Sequence, residues 1–454
     1  MIPQIFLDRM KKLLDDGYPD FLEALSEPNV RAIRVNTLKC EVDKLLSLWE
    51  GELAPIEYTK DGFIPTEQSG IGNTPEHHSG MIYVQDPGAM APINAVDIPR
   101  GARVLDTCSA PGGKSSQLAA AIGSEGLLVA NEYVPKRAKT VVSNFERLGI
   151  TNAIVTSLDT SELGEMFKNY FDVVLCDAPC SGEGMFRKCD DAITDWSEEN
   201  VQACAKRQLE ILSNVIGTIK DGGTLIYSTC TYSVEENEGV VLEIMCRFPS
   251  LDLIDVKDEL KAFTKEGIVI DGHGELKRTR RFYPHVQKGE GQFVAVFKKH
   301  SNTDVLPTIL YKQSEISPTK KEMAIVDDFI KSNLTDMPKG RFIKQGNGIS
   351  FIPFDIPLPP RNVFMAGVML GEIKGAVFFP HHQLFSAFGG LFRRVRNLEK
   401  GDPCCEKYLR GEEIDAGGTD NGWCVVAYEG VALGGGKVSG SKIKNHYPKG
   451  LRIK

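Results

Sequence analysis

Apolar positions recur at helical spacing at the start of the chain, where Phe6, Met10, Leu13 and Leu14 would share one face of a helical segment within residues 1–30. From Ile33 to about Pro99 the pattern is mixed. Short strand-like pieces at Ala32–Val35 and Met81–Val84 are separated by Gly, Pro and Asn breakers. From Gly101 it turns regular, with strand-length apolar runs at Val104–Asp106, Leu127–Ala130, Ala153–Val155, Phe171–Cys176 and Thr224–Tyr227, and a late one at Phe293–Phe297. Helical stretches lie between them. Pro135 suits a first helical turn, Val141, Phe145 and Leu148 form one apolar face, and Gly149 ends it. Ser197 can cap a long helix bearing Val201, Leu212, Val215, Ile216 and Ile219, stopped by Asp221-Gly222-Gly223. Strands alternating with helices predict a mostly parallel α/β sheet whose ligands bind at the carboxyl ends of its strands.

After Lys299, the run Ser301–Asp304 reads as a linker. Residues 305–370 are expected to form a small mixed domain, and residues 371–454, with short strands and glycine turns, a small β module. The chain has 454 residues, 42% hydrophobic and 25% charged, an ordinary globular composition that excludes disorder and fibrous repeats. Its length predicts roughly two to four domains. No apolar stretch reaches membrane-spanning length, which sets integral membrane functions aside. The opening MIPQIFLDRMKKLL breaks at Asp8 before a secretory core forms, so no signal peptide is expected. Eleven irregularly spaced cysteines then suggest reduced thiols in a cytoplasmic protein.

A net charge of −8 is unpromising for a nucleic-acid binder, but the distribution is uneven. Residues 1–300 carry 32 Lys/Arg against 45 Asp/Glu, and residues 301–454 carry 21 against 16. The sign change is the mark of an appended basic module. On charge alone, chance surface composition serves equally well.

The first βα turn reads Asp106-Thr107-Cys108-Ser109-Ala110-Pro111-Gly112-Gly113-Lys114. Paired glycines at a helix N-terminus let the backbone approach a ligand closely. Lys114-Ser115 mimics the end of a Walker A loop, but Cys108 stands where that loop needs its first glycine, so no phosphate loop is expected. Glu132 follows the second strand, where a carboxylate can accept both ribose hydroxyl protons. Asp159 is read as ending the third strand, placed to accept from an adenine amino group, and Asp177 ends the fourth. Each alone could be a solvated carboxylate; consecutive strands ending in Asp or Glu after an Ala-Pro-Gly-Gly-Lys turn make the stronger signal. Adenosine and ribose without phosphate recognition point to S-adenosylmethionine rather than NAD.

The fourth strand runs into Asp177-Ala178-Pro179-Cys180-Ser181-Gly182 and the fifth into Ser228-Thr229-Cys230-Thr231. In a parallel sheet both loops open at the cofactor edge. Cys176 lies within its strand and suits a buried core. Cys176 and Cys180 straddle strand and loop with no second pair nearby, which argues against zinc. Thiols facing a methyl donor suit methyl transfer to a pyrimidine carbon. Carbon 5 of cytosine is a poor nucleophile until a thiolate adds at carbon 6. Asp177 could hydrogen-bond the base's amidine edge and Lys114 could balance charge. A base must then take the carbon-5 proton, and the second cysteine or a water it positions is a candidate.

The segments DTCSAPGGKSSQLA, VLCDAPCSGEGMFR and YSTCTYSVEENEGVV, with RVNTLK (Arg34–Lys39) and YVQDPGAMAP (Tyr83–Pro92), resemble the Nop/Sun family of RNA cytosine-carbon-5 methyltransferases. NHYPKGLR (Asn445–Arg452) and the extra C-terminal domains resemble its bacterial small-subunit ribosomal RNA methyltransferase F branch. The resemblance spans nearly the whole chain, specifically through residues 31–300 and more loosely over 301–440. It implies a Rossmann-like class I methyltransferase core at 101–300, after a helical and RRM-like α+β region at 1–100, with a PUA-like RNA-binding module at 371–454. It further implies that Cys230 is the nucleophile and that Cys180 assists product release. Cys108, Ser109, Ala110, Pro111, Gly112, Gly113, Lys114, Glu132, Arg137, Asp159 and Asp177 would bind S-adenosylmethionine or frame the target base. Glu132 departs from the Asp of many relatives, and its longer arm should still reach a ribose. DNA cytosine methyltransferases use a Pro-Cys nucleophile; Thr229-Cys230 moves the reading from DNA to RNA.

A thiol cannot reach the face of a stacked, paired base, so a single-stranded or looped target is required. Phosphate contact is expected from Arg393, Arg394 and Arg396 and from a tail carrying Lys437, Lys442, Lys444, Lys449, Arg452 and Lys454 with Tyr447 between. The pairs His77-His78 and His381-His382 lack further ligands at metal spacing and are read as structural or surface residues, with no metal expected. The function expected is methylation of 16S ribosomal RNA, free or in the small subunit, by a cytoplasmic monomer that uses neither DNA nor membrane. The alternatives are a transfer-RNA cytosine methyltransferase and a catalytically silent ribosome-assembly binder. Both cysteines being present speaks against the latter.

Overall fold

The computed structural model describes residues 2–300, 306–312 and 315–453. The segment expected as a linker, Ser301–Asp304, lies outside the described residues, as does Lys454. Five parallel strands, Arg103–Asp106, Leu127–Asn131, Ala153–Thr156, Phe171–Asp177 and Ile219–Thr229, lie in the spatial order third, second, first, fourth, fifth. Gln292–Lys299 runs antiparallel beside the fifth. The order reverses between the first and fourth strands, which opens a crevice at their carboxyl ends. This is the Rossmann-like architecture expected.

Period-2 alternation sorts the sheet residues to two buried faces. Val104, Leu128, Ala130, Val155, Leu175 and Ile226 pack under the helices Gly113–Ile122 and Pro135–Leu148. Leu105, Val129, Ile154, Val174 and Tyr227 pack under Glu198–Val215 and Glu238–Arg247. A parallel sheet is stable only when both faces are covered in this way. Gly149 at φ 68° ends the second of these helices as expected, and Ser197 caps the third, its side chain accepting from Asn200 N at 3.1 Å. The third helix stops earlier than the periodicity predicts. Ile216–Thr218 form a 3-10 turn, and Ile219 already pairs with Phe171 in the sheet, ahead of a bulge that contains Gly222 at φ 72°. Apolar residues at this spacing satisfy either element, and the neighbouring strand decides.

The N-terminal stretch is helical as expected and forms two helices, Gln4–Leu14 and Tyr18–Ser26, joined by a 3-10 turn at Asp15–Gly17. Phe6, Met10 and Phe21 pack on Phe186, Trp196, Tyr232 and Tyr283, so these helices back the loops after the fourth and fifth strands. A four-stranded antiparallel sheet follows, in the order Leu53–Pro55, Gly62–Pro65, Ala32–Val35, Ile82–Gln85.

Beyond residue 305 the structure divides differently from the expectation. Thr308–Ile309 pairs with Phe167–Lys168 of the core. Val363–Ala366 joins the central sheet, antiparallel to Ala153–Thr156. It covers what would otherwise be an open sheet edge. Helix Lys320–Asn333 accompanies a four-stranded sheet, Arg341–Gln345, Gly348–Ile352, Val368–Lys374 and Val377–Pro380, so the division expected at 370/371 falls inside a strand. The β module orders Val395–Leu398, Gly422–Tyr428, Val431–Ser439, Lys442–Asn445 and Ile414–Asp415 in one sheet. Its Leu398, Tyr408, Tyr428 and Tyr447 share a core with Ile33, Val35, Leu45 and Ile82 of the N-terminal region. Tyr428 OH donates to Glu76 Oε1 at 3.0 Å, and His78 Nδ1 lies 2.7 Å from Tyr447 OH. His381 caps helix His382–Phe388. Among the described residues no helix is long and apolar enough to cross a membrane.

Candidate active site

The first strand ends in Asp106, which organises the turn after it. Its carboxylate accepts from Ser115 Oγ at 2.5 Å and from Cys108 N at 3.2 Å. Burial pushes its pKa up to about 7. Ser109 N donates to Asn131 O at 2.8 Å, tying the turn to the second strand. Gly112, at φ 111°, occupies backbone space open to glycine and leads into the helix. A side chain at Gly113 would stand 3.1 Å from the Tyr83 ring. Asn144 Nδ2 donates to Pro111 O at 2.9 Å. Burial holds the Cys108 thiol well above its ordinary pKa, so it is a neutral group within the turn.

Glu132 directly follows the second strand and is buried. Its carboxylate accepts from Val134 N at 3.0 Å and Ala110 N at 3.4 Å, and Arg137 Nη1 lies 3.4 Å away. Arg137 Nη2 also donates to Ala110 O at 3.2 Å. Asp159 does not end the third strand. That strand stops at Thr156, and Asp159 is the exposed N-cap of helix Thr160–Met166, accepting from Ser161 N at 2.9 Å and Ser161 Oγ at 2.6 Å. The Asp-x-x-Glu spacing to Glu162 was the local signal for this capping box.

The fourth and fifth strands pair Asp177 with Ser228, which brings their two loops together. Lys114 Nζ donates to Asp177 Oδ2 at 2.8 Å, and Ser228 Oγ to Asp177 Oδ1 at 2.6 Å. Burial alone would lower the pKa of Lys114; the Asp177 carboxylate outweighs it and holds the ammonium above its ordinary value. Cys180 Sγ and Cys230 Sγ lie 3.0 Å apart, and Cys230 N donates to Cys180 Sγ at 3.3 Å. Its contact with Cys230, reinforced by burial, pushes the Cys180 thiol well up. Cys180 is thereby kept as a neutral S–H that can donate to Cys230. Lys114, Asp177, Cys180 and Cys230, all singled out in the sequence, form one cluster. Cys176 is fully buried in the sheet core, as expected.

Three matches to known families cover most of the chain. The model of the 16S rRNA methyltransferase RsmB/F family matches residues 94–298, that of the N-terminal domain of 16S rRNA methyltransferase RsmF matches 2–87, and that of the methyltransferase RsmF PUA domain matches 395–453. Ribosomal RNA small subunit methyltransferase F of Klebsiella pneumoniae (strain 342) is 32% identical over 99% of this chain and 96% of its own. The chain belongs to the 16S rRNA methyltransferase F family. The family's representative from Vibrio vulnificus (strain YJ016) is 31% identical over 99% of this chain and 97% of its own. Among solved structures, a methyltransferase homologue from Pyrococcus horikoshii is 31% identical, with TM-score 0.58, over 65% of this chain and 95% of its own. NSun6 from Pyrococcus horikoshii with SFG, 21% identical over 66% of this chain and 99% of its own, shares the fold at TM-score 0.56.

The cofactor of this methyltransferase is S-adenosylmethionine, and the turn after the first strand fits it. Ser109 Oγ is buried there without a hydrogen-bond partner among the described residues, beside the Gly112-Gly113 backbone and the buried Glu132 carboxylate. Sequence reasoning missed three supporting residues. Arg34, fully buried, donates to Gln85 Oε1 at 3.0 Å, to Ser116 Oγ at 2.7 Å and to Gly113 O at 3.3 Å, so the N-terminal region holds the start of the cofactor helix. Glu183 and Glu236 are buried behind the cysteine loops. Their signal was their place inside the two cysteine motifs.

The basic residues of the C-terminal module separate into two groups. Arg396 turns inward: its guanidinium donates to Asn397 O at 2.7 Å and pairs with Asp402 Oδ2 at 3.2 Å. Arg394 donates to Ser332 O and Asn333 Oδ1, each at 3.3 Å. Arg394 thus meets a backbone carbonyl and an amide oxygen, and Arg396 a backbone carbonyl and a carboxylate. Arg393, Lys442, Lys444 and Lys449 are exposed. Lys442 and Lys444 share the outer face of their strand, with Ile443 buried between them. Lys444 pairs across strands with Lys437, and Lys437 in turn with Trp423. Lys437 Nζ lies 5.6 Å from the Trp423 ring centre, and the His446 ring lies 4.6 Å from that of Trp423.

Proposed function

We propose that this protein methylates carbon 5 of cytosine in 16S ribosomal RNA through a covalent adduct with Cys230. The observation that carries the reading is the approach of Cys180 and Cys230 to 3.0 Å beside the Lys114–Asp177 pair. A methyl donor calls for a nucleophilic acceptor atom, and a thiol beside it is what an otherwise inert pyrimidine carbon needs to become one.

S-adenosylmethionine, when bound, supplies an electrophilic methyl group. Ser109, Gly112, Gly113, Glu132, Arg137 and Asp159, with Cys108, Ala110 and Pro111 of the same turn, would hold it. The Cys230 thiolate adds to carbon 6 of the target base. Asp177, fixed by Lys114 and Ser228, accepts from the amidine edge, and carbon 5 becomes enamine-like and takes the methyl group, whose bond to the donor sulfonium breaks to leave a neutral thioether. The carbon-5 proton then leaves to a base, the bond from carbon 6 to sulfur breaks, and Cys230 returns as thiolate. The neutral S–H of Cys180 beside it stabilises that thiolate as a leaving group, in keeping with a role in product release.

The target cytosine lies in a single strand or loop, and RNA reaches the exposed Lys437, Lys442, Lys444, Lys449 and Arg393 together with Trp423. The enzyme acts as a cytoplasmic monomer on RNA and not on DNA. Bisulfite sequencing of ribosomal and transfer RNA from cells with the gene, without it, and with Cys230→Ala tests this. A 16S cytosine protected only by the parent gene is expected. Loss confined to transfer RNA would move the substrate, and no change in any RNA would leave a silent assembly factor.

A further inference from the structure

Ser181 and Thr231 each directly follow a cysteine of the pair, and their hydroxyls lie 2.9 Å apart. Thr231 Oγ1 lies 2.9 Å from Glu183 Oε2, and Ser181 Oγ is in short contact with Glu236 Oε1. The run is therefore carboxyl, hydroxyl, hydroxyl, carboxyl. It has three oxygen–oxygen contacts and only two hydroxyl protons. With both carboxyls ionised, each hydroxyl would spend its proton on a carboxylate, and the Ser181–Thr231 contact would set lone pair against lone pair in a buried site. One further proton is required.

The surroundings say where it sits. Glu183 meets donors on both oxygens: Trp196 Nε1 at 2.9 Å on Oε1, and Thr231 Oγ1 and Tyr232 N at 3.0 Å on Oε2. The Arg9 charge also faces it. Glu236 takes Ser181 N at 3.0 Å and Gln208 Nε2 at 2.8 Å on Oε2, while Oε1 meets, among the described residues, only the Ser181 hydroxyl, which can accept. Thr231 Oγ1 also receives Ser233 N at 3.3 Å, consistent with its own proton pointing to Glu183. We propose that Glu183 and Glu236 are positioning residues that share one proton, carried on Glu236, so that Glu236, Ser181, Thr231 and Glu183 form a single directional relay locking the Cys180 and Cys230 loops together.

Burial pushes both carboxyls up, Glu236 to about 7. The groups facing Glu236 are Cys180, Cys204 and Tyr227, besides Glu183 itself. Those facing Glu183 are Arg9, Tyr232 and Tyr283, besides Glu236 itself. Among these groups of the described residues Arg9 alone carries positive charge, and it lies on the Glu183 side. A carboxyl with a raised pKa keeps its proton at low pH and loses it as pH rises, so the lock holds below about 7 and loosens above it.

The proposal rests on the methyl-transfer reading for its activity readout, and the test separates the two. The full chain is assayed with labelled S-adenosylmethionine on 16S RNA from cells lacking the gene. Glu236→Ala is expected to lower kcat by roughly tenfold or more, the scale of a buried partner left unmatched. Glu236→Gln should restore it, because an amide nitrogen in place of Oε1 donates to Ser181 while its oxygen still accepts on the other side. Glu183→Gln should not improve on Glu183→Ala, because its amide would meet a donor on each side. The fall in kcat above neutral pH should be present in the parent and absent in Glu236→Gln. Ser181→Ala and Thr231→Val cut the relay with both carboxyls intact and should lose turnover likewise. Equal rescue by both glutamines, rescue by neither, or parental turnover in both hydroxyl variants would overturn the relay.

An arm without RNA follows iodoacetamide labelling of Cys180 and Cys230 by mass spectrometry. Parental rates are expected for Glu236→Gln and faster labelling for Glu183→Gln; identical rates in all three overturn the relay. If the labelling pattern holds while the parent methylates no RNA cytosine, the methyl-transfer reading falls and the relay stands.

Discussion

Cys180 Sγ and Cys230 Sγ lie 3.0 Å apart although the residues are 50 positions apart in the chain. The closeness follows from adjacent parallel strands, the fourth and fifth, whose carboxyl ends pair Asp177 with Ser228. Contact with Cys230, reinforced by burial, pushes the Cys180 thiol well up.

Cys230→Ala is expected to abolish methyl transfer and any covalent RNA adduct. Cys180→Ala should also lose turnover but leave an adduct that forms and resolves slowly. A denaturing gel reads both as a retarded protein–RNA band. A band that survives loss of Cys230 and requires Cys180 would reverse the roles and return a DNA-type assignment.

Glu132→Ala should weaken S-adenosylmethionine binding by about 1–3 kcal/mol, the cost of a buried polar partner left unmatched. Asp159 has two roles to separate, since it also caps a helix. Asp159→Ala should cost about 0.5–2 kcal/mol of stability with the cap, whereas Asp159→Asn, an equally good cap, should keep the parental melting temperature. Both Asp159 variants should bind the cofactor more weakly. Titration calorimetry giving parental affinity for Glu132→Ala and both Asp159 variants would remove these carboxylates from the cofactor site.

Replacing Lys437, Lys442 and Lys444 by Ala should flatten the slope of log RNA affinity against log salt by about 2–3 units if all three touch phosphates. Cofactor affinity should not change. Arg396→Ala should lower the melting temperature, through loss of its Asp402 and Asn397 contacts, and leave the slope alone. Truncation after residue 300 would not serve, because it removes the outer strand Val363–Ala366 from the central sheet. Equal slopes for parent and triple variant would show that this face does not hold RNA.

Glu146, on the helix before Gly149, is pushed up by burial to about 7 from an ordinary 4.5. The folded state keeps its proton longer than the unfolded chain does. Its contribution is therefore full below the ordinary value and is lost as pH rises through about 7. Relative to Glu146→Gln, the parent should lose stability over that window and hold a constant deficit above it. Urea unfolding of both proteins across a pH series measures the difference, and a gap independent of pH would refute the assignment.

Much of the site was legible because it is local chemistry. The glycine turn after Asp106, the Pro-Cys and Thr-Cys loops and the strands that carry them each depend on residues a few positions apart. A parallel sheet then delivers them to one edge. Glu183 and Glu236 lie in the same motifs yet went unread, because a carboxyl's task is set by whichever hydroxyls and amides it meets, here on another loop and another helix.

The sequence by itself determined the five parallel strands, the helices between them, the cofactor turn and the edge where the thiols open. Periodicity and turn chemistry settle these within a few residues. Only the tertiary structure decided that Asp159 would cap a helix past its strand, that Ile219 would leave the helix for the sheet beside Phe171, that Arg396 would turn inward to Asp402, and that Val363–Ala366 would close the sheet at Ala153–Thr156. Each of these outcomes was locally balanced between alternatives. A partner brought by the fold, whether a strand edge, a carboxylate or an unpaired backbone group, supplied the free energy that chose among them.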